Sequence, residues 1–148
     1  MAREGMKFSA HYSGHNVCAP SRNVLLSGRH PGHAYIRENR GGLGGQEGQE
    51  PVPAGELTLP LTLKKLGYTL GATGKWGLGP VGSKGDPLQQ GFDRFFGYNC
   101  QAQAHNFYPT HLWSDSTKVD LKNPKFAAHQ KLPADADPKD PASYIAFR

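Results

Sequence analysis

Apolar positions along this chain come in short bursts, each closed by glycine or proline. Met6, Phe8, Ala10 and Tyr12 alternate with Lys7, Ser9 and His11, which is the period of a half-buried strand. Ala2-Arg3-Glu4-Gly5 before them reads as the last turn of a helix with Gly5 at its C-cap. Ser13 to Val17 is a polar loop that delivers Cys18 to a helix beginning near Pro20 or Ser21, because proline suits a first helical turn and serine can cap it. Val24, Leu25 and Leu26 supply that helix with a face to bury against a sheet, and Gly28 stops it.

From Arg29 to Gly55 the pattern is charged, glycine-rich and aperiodic, with Arg40-Gly41-Gly42-Leu43-Gly44-Gly45 at its centre, and it predicts a long exposed loop. A second helix is signalled by Thr58 as cap, Pro60 in the first turn and Leu59, Leu63 and Leu66 on one face, with Gly67 ending it. Tyr68 to Thr73 reads as a short buried strand. Gly74-Lys75-Trp76-Gly77 then sits at its carboxyl end, where ligands gather in open α/β sheets. Gly91 to Tyr98 is an aromatic knot, joined by a polar loop to His105-Asn106-Phe107-Tyr108-Pro109, and His111-Leu112-Trp113 is a further strand. No internal repeat is visible. After Lys122 the composition turns to Lys, Ala, Pro and Asp, the signature of a flexible tail.

Composition thins this picture. Leu, Ile, Val and Phe make up 28 of 148 residues, just under the roughly 20% below which chains pack weakly. With 19 Gly and 12 Pro, the expectation is a loop-rich α/β piece with a thin, incomplete core. The net charge of +5 comes from scattered Lys and Arg without interleaved aromatics, which points away from nucleic acid and towards a small anionic substrate. No run of 18 apolar residues offers a membrane span, and Met1-Ala2-Arg3-Glu4 does not open a signal peptide, so the compartment stays open. Cys18 and Cys100 are too few for a disulfide framework but could form one bridge.

Cys18 carries two readings from its surroundings. A free cysteine is commonly a small buried core residue. Here, however, the helix mouth and Arg22 one turn on both favour an anionic sulfur or another anion. A zinc site is a third reading, with His15, Cys18, His30 and His33 as four ligands in two closely spaced pairs. Against it, Pro20, the helix and two arginines crowd the same interval.

Cys18-Ala19-Pro20-Ser21-Arg22, followed by Leu26-Ser27-Gly28-Arg29, closely resembles the signature of the formylglycine-dependent sulfatases, Cys-x-Pro-Ser-Arg and then Leu-Thr-Gly-Arg. Met6-Lys7-Phe8, Leu63 to Tyr68 before Gly74-Lys75-Trp76, and Gly91 to Gly97 follow in the order seen in bacterial arylsulfatase-like proteins. The likeness covers roughly residues 1 to 115. It implies an alkaline-phosphatase-like α/β fold with a mostly parallel sheet, of which residues 1–120 form part of the N-terminal catalytic domain and 121–148 an irregular tail. Parent enzymes of this kind are often exported to the periplasm or beyond the cell.

The resemblance also implies a chemistry. A separate formylglycine-generating enzyme oxidises Cys18 to an aldehyde, whose hydrate attacks the sulfur of a sulfate ester and expels the alcohol. Loss of the second hydroxyl's proton then releases sulfate by C–O cleavage. Arg22 holds the hydrate, and Lys75 binds sulfate oxygens and offsets charge on the leaving group.

Two departures limit the match. Many relatives continue Gly-Lys-Trp with histidine, where this chain has Gly77; His105 is the candidate substitute, or else a loop histidine bonded to a backbone carbonyl. The family's divalent cation, usually calcium, sits between a pair of upstream aspartates and a downstream Asp-Asn pair, and neither pair is visible. Position 18 alone remains of that shell, whereas calcium takes about six to eight oxygens, and Asp86, Asp93 and Asp115 stand in other contexts. The 148 residues therefore read as an N-terminal fragment, inactive by itself. The alternatives are a non-catalytic anion-binding module and a small zinc protein.

Overall fold

Two glycines set how closely the first two strands approach. In the computed structural model, which describes residues 2–41, 47–105, 108–123, 134–137 and 139–140, strand β1 (Gly71–Lys75) pairs in parallel with β2 (Arg94–Tyr98), and Gly74 stands opposite Gly97. A Cβ on Gly97 would lie 2.1 Å from the Gly74 carbonyl oxygen, so only hydrogen fits there. β3 (His111–Ser114) adds antiparallel to β2, and β4 (Thr117–Asp120) returns antiparallel to β3 through a tight turn, giving the order β1-β2-β3-β4. The α/β class holds. Among the described strands one pairing is parallel and two are antiparallel, and the two-residue turn between β3 and β4 permits only antiparallel pairing.

Helix α1 spans Cys18–Ser27, α2 Leu59–Lys65 and α3 Gln101–Ala104. α1 begins earlier than the sequence suggests. Val17 is extended, the Ser21 N–H closes the first turn on the Val17 carbonyl at 2.9 Å, and Pro20 falls inside that turn, where its missing N–H costs nothing. Ser21 does not cap; the residue at the N-cap is Val17, without a side-chain bond. Gly28 ends the helix as expected, left-handed at φ 67, its N–H bonded to the Val24 carbonyl. The buried face carries Ala19, Pro20 and Asn23, so Leu25 falls on the opposite side and is 74% exposed, contrary to expectation, while Leu26 packs on the core. α2 stands where its pattern put it, but Thr58 donates its hydroxyl to the Gln90 carbonyl rather than capping.

Further differences follow from pairing. Residues 6–12 form no strand and are exposed, since among the described residues nothing pairs with them. β1 starts at Gly71 and runs through Lys75, because its partners are Arg94 to Tyr98. The aromatic knot is thus a strand, with Phe95 inward at 3% exposure and Phe96 outward. The 29–55 segment is irregular, yet Ala34, Ile36, Gln49 and Val52 are buried, and Val52 donates to the Leu78 carbonyl. Gly42 to Gln46, in its expected exposed stretch, lie outside the described residues.

The core gathers Ala19, Ile36, Val52, Trp76, Leu78 and Phe95, with Trp76 edge-on to Phe92 and its indole N–H donated to the Gly85 carbonyl at 2.7 Å. Bonds from Leu121 to Thr110 and from Asn123 to Pro109 carry the sheet margin to Asn123. Most of the expected tail lies outside the described residues.

Gly97→Ala should cost about 3 kcal/mol in urea unfolding by forcing the two backbones apart. Gly71→Ala, where nothing lies within 4 Å of the new carbon, should stay within about 0.5 kcal/mol of the parent. Equal midpoints for the two variants would refute the close-approach argument.

Candidate active site at the mouth of α1

The first amides of a helix lack intrahelical partners, and at α1 nearly all are accounted for. The Val17 N–H donates to His15 Nδ1 at 3.0 Å, the Ala19 N–H to Asn39 Oδ1 at 3.0 Å, and Pro20 has none to give. The Cys18 N–H has no hydrogen-bond partner among the described residues. In front of it lies an open cavity of about 310 Å³, lined by Ser13, His15, Asn16, Val17, Cys18, Ser21 and Arg22. Cys18 is half-buried with a free thiol, whereas Cys100 is the buried core cysteine and also free, so the two are not bridged.

Arg22 joins this cavity to the sheet. Its Nη1 donates to the main-chain carbonyl of Lys75, the last residue of β1. Burial pulls the guanidinium below its ordinary pKa, and the negative charge available at Cys18 pushes it partly back. Lys75 and Arg22 together line a second, narrower cavity of about 130 Å³ against Leu25, Leu26 and Phe95. The strand end thus brings Lys75 to Arg22, and Arg22 belongs to both cavities. His105 is the exposed C-cap of α3, which follows β2 at the same sheet edge as Lys75, but it does not line the Cys18 cavity.

Gly77 has a physical reason to be glycine. Its φ is +76, and a Cβ there would meet Gln101 Oε1 at 2.9 Å and Gln101 Cβ at 3.2 Å. A residue with a side chain after Gly-Lys-Trp is strained here by the left-handed backbone and has to displace the Gln101 side chain.

No three His, Cys, Asp or Glu side chains come together as metal ligands among the described residues. The zinc reading fails on geometry. His15 Nδ1 is bonded to the Val17 N–H, His30 Nδ1 to the Gly32 N–H, and the His30–His33 pair lies past the far end of α1. Ten helical residues put those two pairs about 15 Å apart along the axis. The carboxylates are used structurally as well. Asp86 accepts from the Gly82 and Leu88 N–H groups; Asp93 holds Lys64 and the Leu70 N–H; Asp115 holds Arg94 and the Phe95 N–H. The residues present therefore do not fit a calcium shell.

The family model described as Sulfatase matches residues 1–126. The chain belongs to the sulfatase family. It is 43% identical over 105 residues to N-acetylgalactosamine-6-sulfatase of Mus musculus, covering 68% of this chain and 20% of that protein. It is 31% identical over 159 residues to Arylsulfatase H of Homo sapiens, covering 90% of this chain and 28% of that one. Among solved structures, the crystal structure of Ps i-CgsB superposes with a TM-score of 0.57 at 25% identity over 76% of this chain and 28% of the other. Its complex with k-i-k-neocarrahexaose, at 24% identity and a TM-score of 0.57, shares the fold. This sulfatase-family chain thus spans between a fifth and a third of the proteins it resembles.

Sequence reasoning missed Asn39. Twenty residues and a loop separate it from the amide it caps, and nothing local in Glu38-Asn39-Arg40 signals that contact.

The structural use of the carboxylates has a pH consequence. The bond from Lys64, then that from the Leu70 N–H, holds Asp93 below the usual carboxylate range; the Phe95 N–H, then Arg94, does the same for Asp115. A folded pKa below the unfolded one adds stability above the ordinary value of about 3.9, and that stability is lost as pH falls through the folded value. Asp115→Asn should therefore melt lower than the parent at neutral pH, with the gap closing below about pH 4. A gap that persists in acid would show that the carboxylate's charge is not what matters.

Proposed function

We propose that this chain carries the nucleophile half of a sulfatase centre, and that its parent reaction is hydrolysis of a sulfate ester to an alcohol and inorganic sulfate. The observation that carries the reading is Cys18, half-buried in an anion-suited cavity and coupled through Arg22 to the end of β1 at Lys75. Oxidised to formylglycine by a modifying enzyme, position 18 supplies a carbonyl carbon able to bear two hydroxyls, one for attack on sulfur and one for the later release of sulfate. Arg22, partly desolvated, offers its charge to the oxygens at position 18. Lys75 meets the sulfate and the departing oxygen from the strand end. His105, at the C-cap of α3 after β2, is the candidate substitute for the histidine that many relatives carry after Gly-Lys-Trp, although it does not line the Cys18 cavity. Residues 1–120 are the proposed catalytic portion. No helix among the described residues is long and apolar enough to cross a bilayer.

Calcium is the family's expected cation, but the carboxylates present do not fit it and no step is routed through it here. The donor-rich, carboxylate-free lining of the Cys18 cavity also suits a second reading, a module that binds an anion without turnover. On either reading the purified 148-residue chain should hydrolyse no aryl sulfate; turnover abolished by Cys18→Ala would overturn this.

The two readings separate at position 18. Coexpression with a formylglycine-generating enzyme, followed by mass spectrometry of the peptide containing Cys18, should reveal an aldehyde. A thiol left intact would sink the sulfatase reading and favour the anion-binding module.

A further inference from the structure

The Cys18 cavity already holds an imidazole. His15 is half-buried in its wall, three residues before Cys18. Its Nδ1 accepts the Val17 N–H at 3.0 Å, so the lone pair is on that nitrogen and a neutral ring carries its proton on Nε2. Nε2 has no hydrogen-bond partner among the described residues. One cavity is thus lined by residues rich in donors, His15, Cys18 and Arg22 together with Ser13, Asn16 and Ser21, and by no carboxylate. A group rich in acceptor oxygens suits such a wall, and a cation does not.

We infer that His15 is the sulfate-contacting histidine of this chain, its Nε2–H donating to an oxygen of the anion held in front of Cys18. The inference rests on the proposed sulfatase reading and deepens it. The imidazole that many relatives carry after Gly-Lys-Trp is absent here, where Gly77 turns left-handed against the Gln101 side chain. His15 supplies the same chemistry from the loop on the other side of position 18. The Val17 bond also orients the ring, because it fixes both the tautomer and the plane in which Nε2 projects.

A purely structural histidine would need only Nδ1, to close the 15–17 turn. The test is therefore made on Nε2, by long-range ¹H–¹⁵N correlation spectra of the full chain at about pH 8 during titration with sodium sulfate. The expected result is a ring protonated on Nε2, whose Nε2 signal moves with sulfate along with the Cys18 and Arg22 signals. His15→Asn, which can still close the turn by accepting the Val17 N–H, should bind sulfate roughly tenfold more weakly. Proton on Nδ1, or sulfate-dependent shifts at Cys18 and Arg22 with Nε2 unmoved, overturns the role of His15 and leaves the sulfatase reading standing. No sulfate-dependent shift anywhere in the cavity overturns both.

Discussion

A half-buried arginine ties the N-terminus of α1 to the carboxyl end of β1. The Arg22 guanidinium lines the Cys18 cavity and donates to the Lys75 carbonyl. This contact joins residues 53 positions apart, and each side of it depends on the other. Without the helix cavity, Arg22 would be a solvated side chain; without the strand terminus, nothing would hold its fork in place. Partial burial costs the guanidinium some hydration, which negative charge at position 18 offsets.

Close backbone approach is the second constraint. Gly97 meets Gly74 too tightly for a Cβ, and Gly77 turns left-handed against Gln101. These contacts bring the Gly74-Lys75-Trp76-Gly77 segment next to Asn99, Cys100 and Gln101, with the Trp76 and Gly77 amides bonded to the Tyr98 and Asn99 carbonyls. Packing of that kind positions Lys75 and anchors Trp76 in the core, and it leaves position 77 strained for any residue with a side chain. The chemistry available at the site is thus shaped by sterics two residues away from the lysine.

The acidic residues illustrate the reverse relation, structure claiming groups that chemistry could use. Asp86 organises the turn between Gly82 and Leu88, Asp93 fastens α2 to the start of β1, and Asp115 fastens β2 to the β3–β4 turn. Each carboxylate accepts a backbone N–H together with a second donor, so taking up a cation would break bonds that hold elements together. A cation in this region needs donors other than these three.

Local patterns in the sequence determined a good part of this. Cys18-Ala19-Pro20-Ser21-Arg22 and Gly28 mark a helix with a cysteine at its mouth and glycine at its C-cap, and Pro60 to Gly67 mark the second helix, because proline and glycine preferences act over a few residues. The order of these motifs also pointed to the sulfatase family. Only tertiary structure decided that Phe95 and Phe96 lie in a strand, since an aromatic run becomes β2 only when Gly71 to Lys75 lies beside it. It decided that residues 6–12, with alternation but no described partner, form no strand, and that Leu25 faces outward while Asn23 is buried. It also decided that Asn39 caps the amide beside Cys18 and that His15 shares its cavity while His30 and His33 lie a helix-length away. Short-range preferences are written into neighbouring residues, whereas partners separated by twenty or fifty positions meet only after the backbone has closed the distance between them.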